Sequence, residues 1–428
     1  MKAIKGLIIA LIAISFASCE SSESQLITYK INEPVFMSKT AFRASVKVTT
    51  KAEDIKNYGK ICFYQGYLYI SESGKGIHVI DNRNPANPQN VGFVELLGNA
   101  DLSIRNNLLY ADSYVDLVWF DISTPATPVL KGRLVDIFPK AIPIMINQYG
   151  FDYEECYVEG KDSVIVGWNV VEKTEEMKDY HGSYWGWGGG FFDDKLVMME
   201  SASPNANSTG INGSMSRFSL YDNKLYVVLE NNMTIFDLAG ESPVKVKESI
   251  YIGRNVETIF SYKDNLFMGT PTGMLIYSVK NPYMPEYMSS ITHAFGCDPV
   301  VVDNDLAYVT VHSGNNCGQN TNELFIVDVK DVKNPKELVS FKTLVSPKGL
   351  GIDAGKLFLC DDGLKIFRIT DSPSSLLTNL IKHVPGMEGY DLIPYDNTLM
   401  MIAEDGLYQY DYSDTNNIKQ ISKLSFVK

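Results

Sequence analysis

The sequence predicts an all-β protein, a β-propeller of seven four-stranded blades, with eight as the alternative count. Three observations predict it: a two-residue turn that recurs seven times, a strand motif that recurs seven times, and one spacing shared by both. The turns are Gln65-Gly66, Asn106-Asn107, Asp222-Asn223, Asp264-Asn265, Asn304-Asp305, Ala354-Gly355 and Asp396-Asn397, stepping by 41, 116, 42, 40, 50 and 42 residues. The strand motifs end near Asp81, Asp121, Asp237, Ser278, Asp328, Arg368 and Asp411, stepping by 40, 116, 41, 50, 40 and 43. A period near 41 with four strands per repeat is the spacing of a propeller blade.

Each element of a repeat has a local cause. Tight hairpin turns need positive φ, which Gly, Asn and Asp tolerate; Ala354 is the weakest fit. A strand start follows every turn: YLYIS, LLYAD, KLYVV, NLFMG, LAYVT, KLFLC and TLMMI. The third strands read GIHVID, LVWFDI, MTIFDL, MLIYSV, LFIVDV, LKIFRI and LYQYDY. Their terminal Asp, followed by Asn/Ser/Thr-Pro, is read as an acceptor for backbone N–H groups in the next turn rather than as a cation ligand. Composition agrees, with 25 Tyr, 20 Phe and 32 Gly in 428 residues. The step of 116 marks an insertion at about 139–212, between the second and third blades. It holds strand-like DSVIVGWNVVE at 162–172 and KLVMME at 195–200. Residues 41–50, AFRASVKVTT, alternate like a strand and are expected to pair with the last blade and close the ring.

The third strands GIHVIDNRNPANP (76–88), LVWFDISTPATP (117–128) and LFIVDVKDVKNP (324–335) resemble the LVIVD repeat of secreted and envelope β-propellers. The resemblance covers roughly 57–138 and 213–428, and is greatest to lipid-anchored propellers of the Bacteroidetes. It implies a fold and says little about activity. Ser278 and Arg368 depart from its Asp.

The N-terminus carries an address. Lys2 and Lys5 precede an apolar run, Gly6–Ala17, too short to span a membrane as an ordinary helix, and Ala17-Ser18 leads into Cys19. Residues 1–18 therefore read as a lipoprotein signal peptide, with Cys19 the lipidated residue. Residues 19–56 are a tether and N-terminal strand segment, and 57–428 a single propeller domain. Losing the leader takes the net charge from −13 to −15. An outer-membrane location is expected, periplasm-facing or surface-exposed, with the lipid as the contact to the membrane. The acidic balance argues against nucleic acid as a partner.

No G-x-S-x-G or H-E-x-x-H pattern occurs, and Gly74-Lys75-Gly76 reads as the turn into GIHVID. No cofactor motif is present. Cys297 and Cys317 bracket a hairpin, and in an oxidising compartment they read as a disulfide. A metal site of His293, Cys297, His312 and Cys317 is the rarer use of that spacing. Cys62 and Cys360 read as buried strand residues. Tyr184, Trp185 and Trp187 stand in a glycine-rich loop, with Trp168 upstream, and suit either stacking on a partner or a flap folded on the body. Lys60, Asp101, Arg217, Glu257, Asp298, Lys348 and Asp391 precede the innermost strands and are expected to line one mouth of the channel. The expected function is a monomeric binding module for a protein or glycan. The alternative is a carboxylate-dependent enzyme acting on carbohydrate or peptide at that mouth.

Overall fold

The computed structural model describes residues 26–427, except 146–148, 158–159, 177–208, 213–214, 230, 254–255, 293–298 and 313–320. An N-terminal arm comes first: β1 (Leu26–Ser38), α1 (Lys39–Ala44) and β2 (Lys47–Thr49). Blade 1 is β3 (Tyr58–Tyr64), β4 (Tyr67–Glu72), β5 (Gly76–Asp81) and β6 (Gln89–Glu95). Blade 2 is β7 (Leu102–Arg105), β8 (Leu108–Ser113), β9 (Asp116–Asp121) and β10 (Val129–Leu134). The insertion supplies α2 (Tyr153–Cys156), β11 (Ser163–Glu176) and β12 (Ile211–Asn212).

Blade 3 follows with β13 (Phe218–Tyr221), β14 (Lys224–Leu229), β15 (Asn232–Asp237) and an outer strand broken into β16 (Val244–Lys245) and β17 (Ile250–Tyr251). Blade 4 is β18 (Phe260–Tyr262), β19 (Asn265–Thr270), β20 (Gly273–Ser278) and β21 (Glu286–Thr292). Blade 5 is β22 (Val300–Asp303), β23 (Leu306–Val311), β24 (Glu323–Asp328) and β25 (Lys336–Phe341). Blade 6 is β26 (Leu350–Asp353), β27 (Lys356–Cys360), β28 (Leu364–Arg368) and β29 (Leu380–Val384). Blade 7 is β30 (Gly389–Tyr395), β31 (Thr398–Ala403), β32 (Gly406–Asp411) and β33 (Lys419–Ser425). Every blade is an antiparallel meander, and the innermost strands touch in cyclic order, β30 returning to β3. The protein is an all-β propeller of seven blades.

The turn chemistry behaves as the sequence requires. Positive φ occurs at Gln65, Asn106, Asn107, Asp222, Asn304, Asp305, Ala354, Asp396 and Asn397. The fourth turn lies one residue earlier than expected, at Lys263-Asp264, since Tyr262 pairs with Asn265. The strand-end carboxylates accept the N–H two residues on: Asp121 from Ser123 at 2.9 Å, Asp237 from Ala239 at 2.9 Å, Asp328 from Lys330 at 2.9 Å and Asp411 from Ser413 at 2.9 Å. Ser278 does the same with its hydroxyl, accepting from Lys280 at 3.4 Å, so its departure from Asp leaves the turn intact. The second strands are buried on both faces because each blade is packed between two others; all six residues of β4 are buried.

Ring closure differs from the expectation. Residues 41–50 do not pair with blade 7. Ser38 caps α1 by accepting from Ala41 N–H, and only Lys47–Thr49 is extended, added to the outer edge of blade 1 against β6. Blade 7 takes all four strands from Gly389–Ser425 and closes on blade 1 through side-chain and backbone hydrogen bonds rather than a shared strand. Buried Asn82 and Gln409 exchange two amide hydrogen bonds, 3.0 and 2.7 Å, between blades 1 and 7. Ser422 donates to the Pro85 carbonyl at 2.6 Å, and Val427 N–H to the Ile55 carbonyl at 3.1 Å.

The insertion does two things. β11 pairs with β1 over the arm's whole strand, Leu26 opposite Glu176 and Ser38 opposite Ser163. The chain then reappears inside the ring. β12 adds to the inner edge of β3, Thr209 bridges Arg105 of β7, and Gly210 N–H donates to the Ile104 carbonyl at 2.6 Å. Because β12 is antiparallel to β3, residues 209–212 run along the inner edge toward the end where the innermost strands begin. Ile211 and Met215 join the apolar cluster shared by blades 7 and 1.

Candidate functional site

Four residues before the innermost strands' tight turns share one register. Lys60, Asp101, Arg217 and Asp391 each stand five positions ahead of the first turn residue, in blades 1, 2, 3 and 7, which are contiguous around the ring. Counted the same way, blades 4, 5 and 6 place Thr258, Pro299 and Gly349 there. Glu257, Asp298 and Lys348 sit one position earlier, so the seven expected mouth residues are not equivalent. The charge is concentrated on one side of the mouth.

That side is buried. Lys60 is 8% exposed, Asp101 2% and Asp391 1%. Asp101 is a hub: Oδ1 accepts Leu102 N–H at 2.8 Å and the Ser216 hydroxyl at 3.0 Å, and Oδ2 accepts Arg217 N–H. Asp391 repeats the local geometry, accepting Leu392 N–H at 2.8 Å. Behind Asp101, Asp112 Oδ1 accepts the N–H groups of Ala100 at 2.8 Å and Asp101 at 2.9 Å and the Asn99 amide at 3.1 Å. Burial raises the Asp101 carboxyl against the pull of Lys60, and pushes Asp112 up to about 7 despite its hydrogen bonds. The same burial lowers the Lys60 ammonium, opposed by Asp101 and Asp391 and aided by Arg217. Ser216 and Arg217 stand immediately ahead of β13, so the entry to blade 3 holds this cluster in place.

Beside it the mouth is open. A cavity of about 330 Å³ lies between blades 6 and 7, with Lys348, Asp362 and Glu388 in its wall. Lys348 Nζ donates to Glu388 Oε1 at 2.5 Å across two separate connections. Asp361 beneath is spent on Lys365 Nζ at 2.6 Å and on the N–H groups of Val345 and Ser346. Burial, with Asp391 adding and Lys348 opposing, pushes the Cys360 thiol well above its ordinary value.

Glu72, at the mouth end of β4, accepts the N–H groups of Lys56 and Asn57 at 3.1 Å, with His78 Nε2 also at 3.1 Å. Burial opposes ionisation, yet His78 and these N–H groups bring the carboxyl down to about 2 from 4.5. A lowered carboxyl contributes stability that is present above pH 4.5 and lost as pH falls toward 2, on the order of 3 kcal/mol. Glu72→Gln is expected to flatten the acid limb of a urea-midpoint profile in that window. An unchanged slope would refute the assignment.

Other expected residues fall variously. Cys19, Tyr184, Trp185, Trp187, His293, Cys297, Asp298 and Cys317 lie outside the described residues. His312 is buried at the end of β23. Trp168 is folded onto the insertion, its indole N–H donating to the Pro143 carbonyl at 2.8 Å and its ring against Phe151. Cys62 and Cys360 are buried in strands, and Cys156 is buried at the C-terminal end of α2 with its thiol pushed up to about 12. The sequence reading missed Asp112, Asp362 and Glu388. Asp361-Asp362-Gly363 and Gly386-Met387-Glu388-Gly389 were the available signals, acids set among turn-forming glycines.

A family model described as the LVIVD repeat matches residues 52–95 and 98–136, which hold blades 1 and 2. No curated protein sequence matches the chain. Among solved structures, a protein from Lactobacillus plantarum is similar at TM-score 0.52 and 12% identity, covering 86% of this chain and 97% of that one. The periplasmic gluconolactonase PpgL of Pseudomonas aeruginosa is similar at TM-score 0.51 and 10% identity, covering 86% and 96%. At such identities the likeness extends to the fold alone. The chain is thus a seven-bladed β-propeller that carries LVIVD repeats.

Proposed function

We propose that the protein is an envelope binding module, held at a membrane by lipid on Cys19, that takes its ligand at the open part of the channel mouth over blades 6 and 7. One observation carries the reading: a cavity of about 330 Å³ with charged walls sits beside a mouth whose other side is filled by chain. Backbone hydrogen bonds from Lys348 N–H to the Cys360 carbonyl at 2.8 Å and from Gly349 N–H to the Tyr390 carbonyl at 3.1 Å tie the wall to blades 6 and 7, and ligand pockets favour such preformed walls. The leader and Cys19 support the anchor, and among the described residues no helix is long and apolar enough to cross a membrane.

The test is a binding panel of envelope glycans, peptides and free amino acids, read by microscale thermophoresis. A ligand should bind wild type and lose about tenfold or more in affinity in Lys348→Ala/Glu388→Ala. A ligand indifferent to that double variant would move the site elsewhere. A carboxylate-dependent hydrolase is the second reading, favoured by the exposed carboxylates of Asp362 and Glu388 in the wall of the same cavity. It requires turnover of a carbohydrate or peptide that Asp362→Asn or Glu388→Gln abolishes.

A further inference from the structure

We propose that the cavity between blades 6 and 7 takes a zwitterion of amino-acid size, its ammonium group against Asp362 and Glu388 and its carboxylate against Lys348. The inference rests on the mouth being the binding face and names what that face would hold.

Three connections bring the charges together. Lys348 ends the link from β25 to β26, Asp362 sits in the turn between β27 and β28, and Glu388 lies in the link from β29 to β30. The Asp362 side chain is 47% exposed and the Glu388 side chain 66%, so both carboxylates have room for a ligand. Asp362 is positioned rather than loose: His383 Nε2 is 2.8 Å from its carbonyl and 3.4 Å from Oδ2. Asp361 is excluded from the count because Lys365 and two backbone N–H groups already satisfy it.

The wall therefore offers two carboxylates and one ammonium to a small molecule. A simple amine would meet the carboxylates but also face Lys348. A simple carboxylate would meet Lys348 but face two like charges. A molecule with both groups a few ångströms apart meets neither repulsion. It would exchange partners with the Lys348–Glu388 pair, whose carboxylate is open to solvent at 66% while the Lys348 side chain, 13% exposed, is held in the wall. Gly386, where an added Cβ would meet nothing within 4 Å, leaves the wall's backbone open, and Val345 and Met387 line the cavity with apolar surface for a ligand side chain. The volume is at the lower end of the roughly 300–1,000 Å³ usual for small-molecule pockets.

Isothermal titration at pH 7 with alanine, methionine, butylamine, butyrate and glucose tests this on the full chain. The amino acids should bind about tenfold or more tightly than butylamine or butyrate. Lys348→Met should bring alanine to the level of butylamine, and Asp362→Asn/Glu388→Gln should bring it to that of butyrate, with thermal midpoints checked to show folding. Butylamine binding as tightly as alanine overturns the proposal, as does alanine binding that survives both variants. If glucose or a glycan binds and Lys348→Met abolishes it while amino acids do not bind, the zwitterion is wrong and the binding face stands. If no probe binds, the zwitterion is overturned, and the binding face is decided separately by the glycan and peptide panel.

Discussion

Asp101→Ala is expected to cost about 3–5 kcal/mol of folding stability, the range for removing one member of a buried charge pair. Asp101 is 2% exposed and accepts from Leu102 N–H, the Ser216 hydroxyl and Arg217 N–H while facing Lys60. Alanine leaves these donors without their acceptor and leaves the Lys60 ammonium with the repulsion of Arg217 opposed by Asp391 and Asp112, without its strongest carboxylate partner. The rescue is specific. Lys60→Met in the Asp101→Ala background should return part of the loss, because the uncompensated charge is then gone. Urea midpoints of the four proteins in this double-mutant cycle measure it. Equal costs with no coupling would show that Asp101 acts through its backbone hydrogen bonds alone.

Gly210→Leu is expected to displace the strand on the inner edge of blade 1. A Cβ at Gly210 would lie 2.6 Å from Cys62 Sγ and 3.0 Å from Ile104 Cβ, the innermost strands of blades 1 and 2 closing on it from both sides. Neither neighbour is the free end of a long side chain, so the strand must move, losing the Gly210–Ile104 hydrogen bond and the pairing of β12 with β3. Overpacking of this kind costs about 1–3 kcal/mol for alanine, and leucine should exceed it. The displacement also pulls at Met215 in the core of blades 7 and 1 and at Ser216 on Asp101, so the loss should be coupled to that of Asp101→Ala. Cys62→Ala should relieve Gly210→Ala by removing the nearest atom. A Gly210→Leu protein with the wild-type urea midpoint would show that the strand is dispensable.

Much of the fold was legible because its causes are local. Asn106-Asn107 and Asp396-Asn397 announce their hairpins through their own tolerance of positive φ, and Asp121 or Asp411 ends its strand by holding an N–H two residues away. Errors arose where a local signal was ambiguous. Lys263-Asp264-Asn265 offers two turn frames, and only the pairing of Tyr262 with Asn265 selects the first. Counting mouth residues without a shared reference to the turns placed Glu257, Asp298 and Lys348 one position from the register of Lys60, Asp101, Arg217 and Asp391. Residues 41–50 alternate, but too briefly to outweigh the Ser38 cap that starts a helix before them.

The candidate site was half legible. Lys60, Asp101, Arg217 and Asp391 could be named from strand starts, but their burial could not, since it depends on an insertion strand that the sequence marks only with Gly-Ile-Asn. The sequence by itself determined the blade repeat, six of the seven turns and the position of the insertion, because each is a matter of φ preference and side-chain alternation within some 41 residues, while the choice of seven blades over eight came from the strand pairing. Only the tertiary structure decided that four charges from blades 7, 1, 2 and 3 meet, that residues 209–212 add to the inner edge beside them, and that Lys348, Asp362 and Glu388 share one cavity. Those groups are brought together by closure of the ring, a contact between residues hundreds of positions apart, and desolvation then sets their charges.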